Sequence, residues 1–279
     1  MTARRRRSPQ QRLREAAVWL VAAACVANVF PIYWMFATAL KSEADVFAYP
    51  PVWVFMPTLD NYRHIFTAAG FFRPLLNSLF IAAVSTTAAV ILGTAAAYGM
   101  ARFKVGGRFL PLWVLSTRMF PPIVIVVPVF LLLSSLHLLD TYPGLIAVYV
   151  TVGLPFVIWL MRGFFLEIPA ALEEAAWIDG CDRFQAMVKV VLPLTAPGLA
   201  VTSVFVFIST WNEFLLASVI TGTATKTAPL AAAQFSSEFG IQWGPMMATG
   251  VVVLAPMVVA GLLAQPYIVR GLTLGAVKG

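Results

Sequence analysis

The chain has 279 residues, of which 60% are hydrophobic and only 11% charged, with a mean hydropathy of +0.86. So few polar groups cannot clothe a water-soluble globule of this length, which excludes a soluble domain and makes lipid the solvent for most of the surface. The formal net charge of +7 raises nucleic acid as a partner, but the position of the cations explains it more simply, as set out below.

A hydrocarbon core is crossed by a helix of roughly 20 mostly apolar residues. Six stretches qualify: Ala16 to Leu40, Leu75 to Met100, Leu110 to Leu133, Tyr142 to Phe165, Ala196 to Ile220 and Gly244 to Val269. The expectation is an all-α polytopic membrane protein. It has a basic N-terminus over 1–15, a first span over 16–40, an extracytoplasmic segment over 41–74, a body over 75–270 with helices two to six, and a tail over 271–279.

An even number of crossings puts both ends on one side. That side carries Arg4 to Arg7, Arg12, Arg14, Arg102, Lys104, Arg108, Arg162, Arg183, Lys189, Arg270 and Lys278, fourteen of the nineteen Lys and Arg residues. The positive-inside rule then makes the termini cytoplasmic, and no nucleic acid is needed. The first apolar run outlasts a signal-peptide core of about 15 residues, so it reads as a span. Cys25 falls inside that span and Cys181 in a cytoplasmic loop, so neither a disulfide nor a metal site is expected.

The segment 41–74 is broken by Pro50, Pro51 and Pro57 and rich in aromatics (Trp53, Phe55, Tyr62, Phe66), which reads as a fold against the membrane surface. In span two, Ala89, Gly93, Ala97 and Ala101 stack small residues on one face, a helix-packing surface in lipid. Pro121, Pro122 and Pro128 should break or kink span three, and Pro155 and Pro256 fall in spans four and six. Broken helices at membrane depth persist where protein or a watery cavity satisfies the freed carbonyls, so the prolines point to a pathway as well as to packing.

Arg118 and Glu213 are ionisable residues inside spans, costly in hydrocarbon and so expected to face a cavity or a partner. Arg118 can equally snorkel or cap the broken helix. Trp211, Asn212 and Glu213 together offer an indole face, an amide and a carboxylate, a set suited to stacking on and hydrogen-bonding a sugar. The outer loop Thr221 to Trp243 ends in Glu238-Phe239-Gly240-Ile241-Gln242-Trp243.

The loop Arg162 to Thr195 is the most structured of the connections. Pro169 with Glu173 and Glu174 reads as a helix start, Gly180 as its stop, and Asp182 as the cap of a second helix over Arg183 to Leu192 that Pro193 ends. Glu174-Ala175-Ala176, Asp179-Gly180 and Val190-Val191-Leu192-Pro193 resemble the EAA loop of ABC importer permeases: EAA, three residues, Gly, nine residues, then Ile-x-Leu-Pro, with Val190 in place of isoleucine. Met119-Phe120-Pro121-Pro122, Leu139-Asp140-Thr141-Tyr142, Trp159-Leu160-Met161-Arg162 and Trp211-Asn212-Glu213-Phe214 are similar to the maltose-type carbohydrate permeases.

The resemblance implies a type I ABC importer permease fold in a bacterial inner membrane, carrying a sugar or polyol. It also implies as partners a second permease subunit, two copies of a cytosolic ATPase and an extracytoplasmic solute-binding protein. Coupling to the ATPase would rest on the loop 166–195, with Glu173, Glu174, Ala175, Ala176, Asp179, Gly180, Leu192 and Pro193. Binding-protein contact would rest on Glu238, Phe239, Gln242 and Trp243, and the solute pathway on Trp211, Asn212, Glu213 and Arg118. No Gly-x4-Gly-Lys-Ser/Thr sequence occurs, so ATP and Mg belong to the partner and this chain holds no cofactor. The competing classes are an ion-driven secondary carrier, which usually shows several membrane carboxylates, and a membrane-embedded enzyme, which needs a base at membrane depth where His64 and His137 do not lie.

Overall fold

A computed structural model describes residues 9–237 and 240–276. Arg4 to Arg7, Lys278, Glu238 and Phe239 lie outside the described residues. Among the described residues, fourteen α-helices and one short hairpin follow in order. They are α1 (Pro9–Ala39), α2 (Glu43–Val46), α3 (Asp60–Thr67), α4 (Phe72–Arg102), α5 (Phe109–Ser116), α6 (Pro122–Ser135), α7 (Tyr142–Glu167), α8 (Ala171–Ile178), α9 (Arg183–Ala186), α10 (Leu192–Leu194), α11 (Ala196–Trp211), α12 (Leu215–Ile220), α13 (Ala228–Ala233), antiparallel β1 (Ser236–Ser237) and β2 (Gly240–Ile241), and α14 (Trp243–Ala276).

Among the described residues, four helices are long and apolar enough to cross a membrane unbroken, over Arg14–Ala39, Phe72–Arg102, Tyr142–Glu167 and Trp243–Tyr267. Two further pairs are bent, Phe109–Met119 with Pro122–Ser135 by 94° and Arg183–Leu194 with Ala196–Trp211 by 79°; counting each as one span gives six. The break expected of span three occurs at Pro121: Phe120 and Pro121 leave the helical region, and α6 restarts with Pro122 in its first turn, where a missing N–H costs nothing, while Pro128 lies inside α6. Span five is also interrupted. α11 has 16 residues, about 24 Å at 1.5 Å per residue, short of the ~30 Å hydrocarbon thickness, and α12 continues after a break at Asn212 to Phe214.

The chain divides into two compact units. The first comprises 1–69 and 235–252. Within it, Lys41 is buried with its ammonium 4.6 Å from the Trp34 ring and 5.2 Å from that of Phe55, and Trp53 meets Trp34 edge-on at 5.3 Å. Asn61 donates to the carbonyls of Ala39 and Lys41 at 3.0 and 2.9 Å, tying α3 to the end of α1. Trp53 and Phe55, two of the aromatics of the 41–74 segment, thus join Trp34 in an internal cluster around a cation.

The second unit, 70–234 and 253–279, is organised by α4 and α7. A buried pair recurs every four residues along α4: Ser85 and Thr86, Ala89 and Val90, Gly93 and Thr94, Ala97 and Tyr98. Such a ridge fits the groove of a neighbouring helix, and small side chains let the backbones close up where lipid supplies no hydrophobic drive. Ala89 and Ala97 have no exposure, Ala101 is only partly buried, and a Cβ added at Gly93 would fall 2.6 Å from Val157 Cγ1 and 2.7 Å from its Cβ. We expect Gly93→Ala to lower stability by about 1–3 kcal/mol, because the branch point of Val157 cannot swing aside. Thermal unfolding in detergent measures this, and an unchanged midpoint would contradict the close α4–α7 approach.

Candidate functional site

The segment predicted as a helix, glycine turn and helix has that form over its first half. Ala171–Ile178 is helical, Gly180 turns the chain at φ +87°, and the Asp182 carboxylate caps α9 by accepting from the Gln185 N–H at 2.7 Å. The second helix differs from the expectation. Met187–Val191 winds as a π-turn, the Leu192 N–H bonds to the Met187 carbonyl, and the helix runs through Pro193 to Leu194 before the 79° bend. Pro193 has no N–H to offer the Lys189 carbonyl, and widening the preceding turn accommodates that loss.

This segment presents one face and buries another. Leu172, Glu174, Trp177, Ile178, Asp179, Gly180 and Phe184 are exposed, Ile178 at 87%, whereas Glu173, Ala176 and Ala186 are buried. Glu173 is only 2% exposed. One of its oxygens accepts the Tyr98 hydroxyl at 2.5 Å and the other pairs with the Arg102 Nε, while Arg102 Nη2 donates to the Ile168 carbonyl at 2.9 Å. Arg183 lies over the rings of Phe103 (5.0 Å) and Trp177 (5.9 Å).

In the same unit, beside the middle of α7 and the C-terminal half of α11, a cavity of about 170 Å³ is lined by Arg118, Tyr149, Phe156, Phe205, Ser209 and Glu213, among others. Glu213 accepts the Leu216 and Ala217 N–H groups at 2.8 and 3.0 Å and the Tyr149 hydroxyl at 2.9 Å. It thereby caps α12 and joins it to α7. Arg118 donates to the Val152 carbonyl at 3.1 Å and its guanidinium lies 5.6 Å from the Phe156 ring centre.

The family described as "Binding-protein-dependent transport system inner membrane component" matches residues 89–273. The chain belongs to it. The permease is 42% identical to the Trehalose transport system permease protein SugB of Mycobacterium tuberculosis, across 95% of this chain and 99% of the relative. It is 37% identical to the Diacetylchitobiose uptake system permease protein DasC of Streptomyces coelicolor, across 90% and 92%. In fold it matches a chain of a bacterial ABC transporter involved in the import of the acidic polysaccharide alginate, at a TM-score of 0.78 and 24% identity over 94% of this chain and 99% of that one. It has the type I ABC importer permease fold, and it is a multi-pass membrane subunit of a transporter.

Against this frame the predicted site residues separate. Glu174, Ala175, Asp179 and Gly180 lie on the exposed face of the permease's α8 turn, with Pro193 exposed and Leu192 partly buried further along. Glu173 and Ala176 point inward, so neither is available to a partner; the acidic pair Glu173-Glu174 puts adjacent residues on different helix faces. Arg118 and Glu213 do share one cavity. Trp211 does not line it: the indole is 1% exposed, stacks on Phe207 at 5.9 Å and donates to the Val253 carbonyl at 3.1 Å. Asn212 does not line it either, and its amide donates to the Ile208 carbonyl of its own helix at 2.9 Å. α11 ends at Trp211 and the chain leaves the helix over Asn212 to Phe214, so the three consecutive side chains part at this break.

Tyr149, Phe156 and Ser209 were missed in the sequence because each reads as an ordinary residue of an apolar span. In the first unit, Gln242 and Trp243 line an open cleft of about 970 Å³ with Lys41, Asp60, Asn61 and His64.

A further fixed point was missed. The Asp140 carboxylate accepts from the N–H groups of Gly222, Ala224 and Thr225 at 2.8, 3.0 and 2.9 Å and from the Thr225 hydroxyl at 2.8 Å. Asn77 donates to the carbonyls of Ala224 and Lys226, and Ser78 accepts the Ala228 N–H. The start of the loop predicted to touch the binding protein is thus clamped to the ends of α4 and α7. Burial pushes the Asp140 carboxyl up, but the amide and hydroxyl donors outweigh it and lower its pKa from 3.8 to about 2. The folded value lies below the unfolded one, so the stabilisation is present above about pH 4 and is lost as pH falls towards 2. We expect Asp140→Ala to lower the detergent melting temperature by a constant amount from pH 8 to 5, the difference shrinking below about pH 4. A difference that persists unchanged at pH 2 would contradict the latch.

Proposed function

We propose that the permease forms half of the membrane pathway of an ATP-driven importer of glycosides of disaccharide size, and that the Ala171–Leu194 segment receives the movement of a separate cytosolic ATPase. What carries the reading is the exposed face of Glu174, Trp177, Ile178 and Gly180, set on a helix whose other face is fixed to the permease body. An apolar, partly acidic surface of this kind beside a glycine turn is built for a cleft on another protein. Because the sequence has no phosphate loop, energy enters from that partner, which shifts the transporter only by gripping one of its states more tightly.

The glycoside class is supported by relatives named for trehalose, diacetylchitobiose, trehalose/maltose and sulfoquinovosyl glycerol. The cavity is in keeping with it. Tyr149, Phe156 and Phe205 offer ring faces, and Ser209, Glu213 and Arg118 offer polar groups that can meet hydroxyls. Its volume of about 170 Å³ is below the ~300 Å³ at which sites for drug-sized ligands begin, so one sugar ring is held at a time or the second permease subunit supplies the rest.

The remaining partners are two copies of the ATPase and an extracytoplasmic solute-binding protein, the latter meeting the region of Gln242 and Trp243. The cation asymmetry supports a cytoplasmic position for both termini. The substrate class is tested by competition during uptake into proteoliposomes holding the complete complex. Trehalose or another disaccharide is expected to be taken up and to be displaced by glycosides and not by amino acids. Displacement by amino acids alone would refute the glycoside assignment. A reporter fused after Gly279 should be active only in the cytoplasm.

A further inference from the structure

From the buried contacts of Glu173 we infer that Glu173, Arg102 and Tyr98 are positioning residues that carry the movement of α8 to α4, and through α4 to the cavity. The inference rests on the coupling role proposed for α8. The covalent route from α8 to the cavity runs through α9, the π-turn Met187–Val191, Pro193 and the 79° bend before α11. A push on α8 along that route meets a widened turn and a corner, both places where a helix yields.

A second route exists that no chain connection supplies. Glu173 lies on the inward face of α8 and is 2% exposed, and its two carboxylate oxygens hold two groups from the last turns of α4, the Tyr98 hydroxyl and the Arg102 guanidinium. Arg102 also grips the Ile168 carbonyl, where α7 ends and the segment begins, so one guanidinium fixes both ends of the connection. Charge-assisted bonding of one carboxylate to two donors is directional, and burial shields it from water. The Tyr98 ring is in turn held edge-on by Phe103 and Phe165, at 5.7 and 5.6 Å. From there α4 runs as one unbroken helix that meets α7 at Gly93 and Val157, and α7 carries Tyr149 and Phe156 into the cavity. Glu173 and Glu174 thus divide the work: one faces the partner, the other fastens the helix that the partner moves.

The test uses the complete complex in proteoliposomes, with solute taken up per ATP hydrolysed as the readout. A merely structural role would change the amount of assembled complex and leave this ratio alone. Removing one charge of a buried pair strands the other, so the main variant removes both, Glu173→Met with Arg102→Met. Tyr98→Phe, which deletes one hydroxyl and keeps the ring packing, is measured beside it. We expect both to assemble and hydrolyse ATP within about twofold of the parent, with the ratio about tenfold lower in the double variant and two- to threefold lower in Tyr98→Phe. A parental ratio in the assembled variants overturns the inference. If the double variant does not assemble, the Tyr98→Phe ratio decides alone. Glu174→Ala separates the two levels: if it lowers the ratio while the anchor variants do not, the anchor fails and the coupling reading stands. If Glu174→Ala leaves the ratio intact, the coupling reading itself fails.

Discussion

Replacing Gly180 by proline is expected to reduce ATP-dependent uptake at least a hundredfold while the permease still inserts in the membrane. Gly180 holds φ at +87°, in the left-handed region, and a proline ring locks φ near −65°. The substitution also removes the N–H that bonds to the Trp177 carbonyl at 3.1 Å. The turn from α8 into α9 cannot form, and the exposed face of Glu174, Trp177 and Ile178 is lost. Alanine is the informative contrast. A Cβ at this position meets nothing within 4 Å, so Gly180→Ala suffers only the backbone strain of about 1–2 kcal/mol and should keep a measurable share of uptake. Parallel blots for membrane insertion and uptake assays on the reconstituted complex separate the effects. Proline at full activity would mean that the turn plays no part in coupling.

Glu213→Leu is expected to abolish uptake and to loosen the fold together. The leucine leaves the Leu216 and Ala217 amides and the Tyr149 hydroxyl without their acceptor, at about 1–3 kcal/mol for each group that stays buried. Glu213 is thus both a cavity wall and the clasp between α7 and α12. Tyr149→Phe is the milder probe. It keeps the ring in the cavity and the cap of α12 intact, so a fall in uptake with an unchanged melting midpoint reports the hydroxyl's role towards solute. Asn212→Leu should leave uptake near the parental value, because the amide points along its own helix and outside the cavity. A loss of uptake in Asn212→Leu with normal assembly would show that the cavity described is not the pathway.

Much of this architecture was legible because lipid imposes a simple pattern. Apolar runs of about 20 residues marked the spans, and prolines marked where the third would break, since the missing N–H at Pro121 and Pro122 has no remedy inside a straight helix. Gly180 and Asp182 were readable for the same local reason, a backbone angle and a cap. The facing of individual side chains was not. Trp211, Asn212 and Glu213 are adjacent in sequence and diverge in space, because α11 ends at Trp211 and Glu213 lies in the break before α12. The inward turn of Glu173 depends on Arg102, 71 residues earlier, and the Asp140 latch on amides more than 80 residues later. Contacts between distant segments leave no periodic trace in either one.

The most direct test of the account is energised uptake by the whole complex, rebuilt from its parts. Proteoliposomes are loaded with ATP on the side of the Ala171–Leu194 segment, glycoside-loaded binding protein is supplied on the other, and uptake is followed with and without the ATPase. We expect uptake only when ATPase, ATP and binding protein are all present, and a proton or sodium gradient should not replace ATP. Sustained uptake driven by an ion gradient through the permease alone would contradict the account.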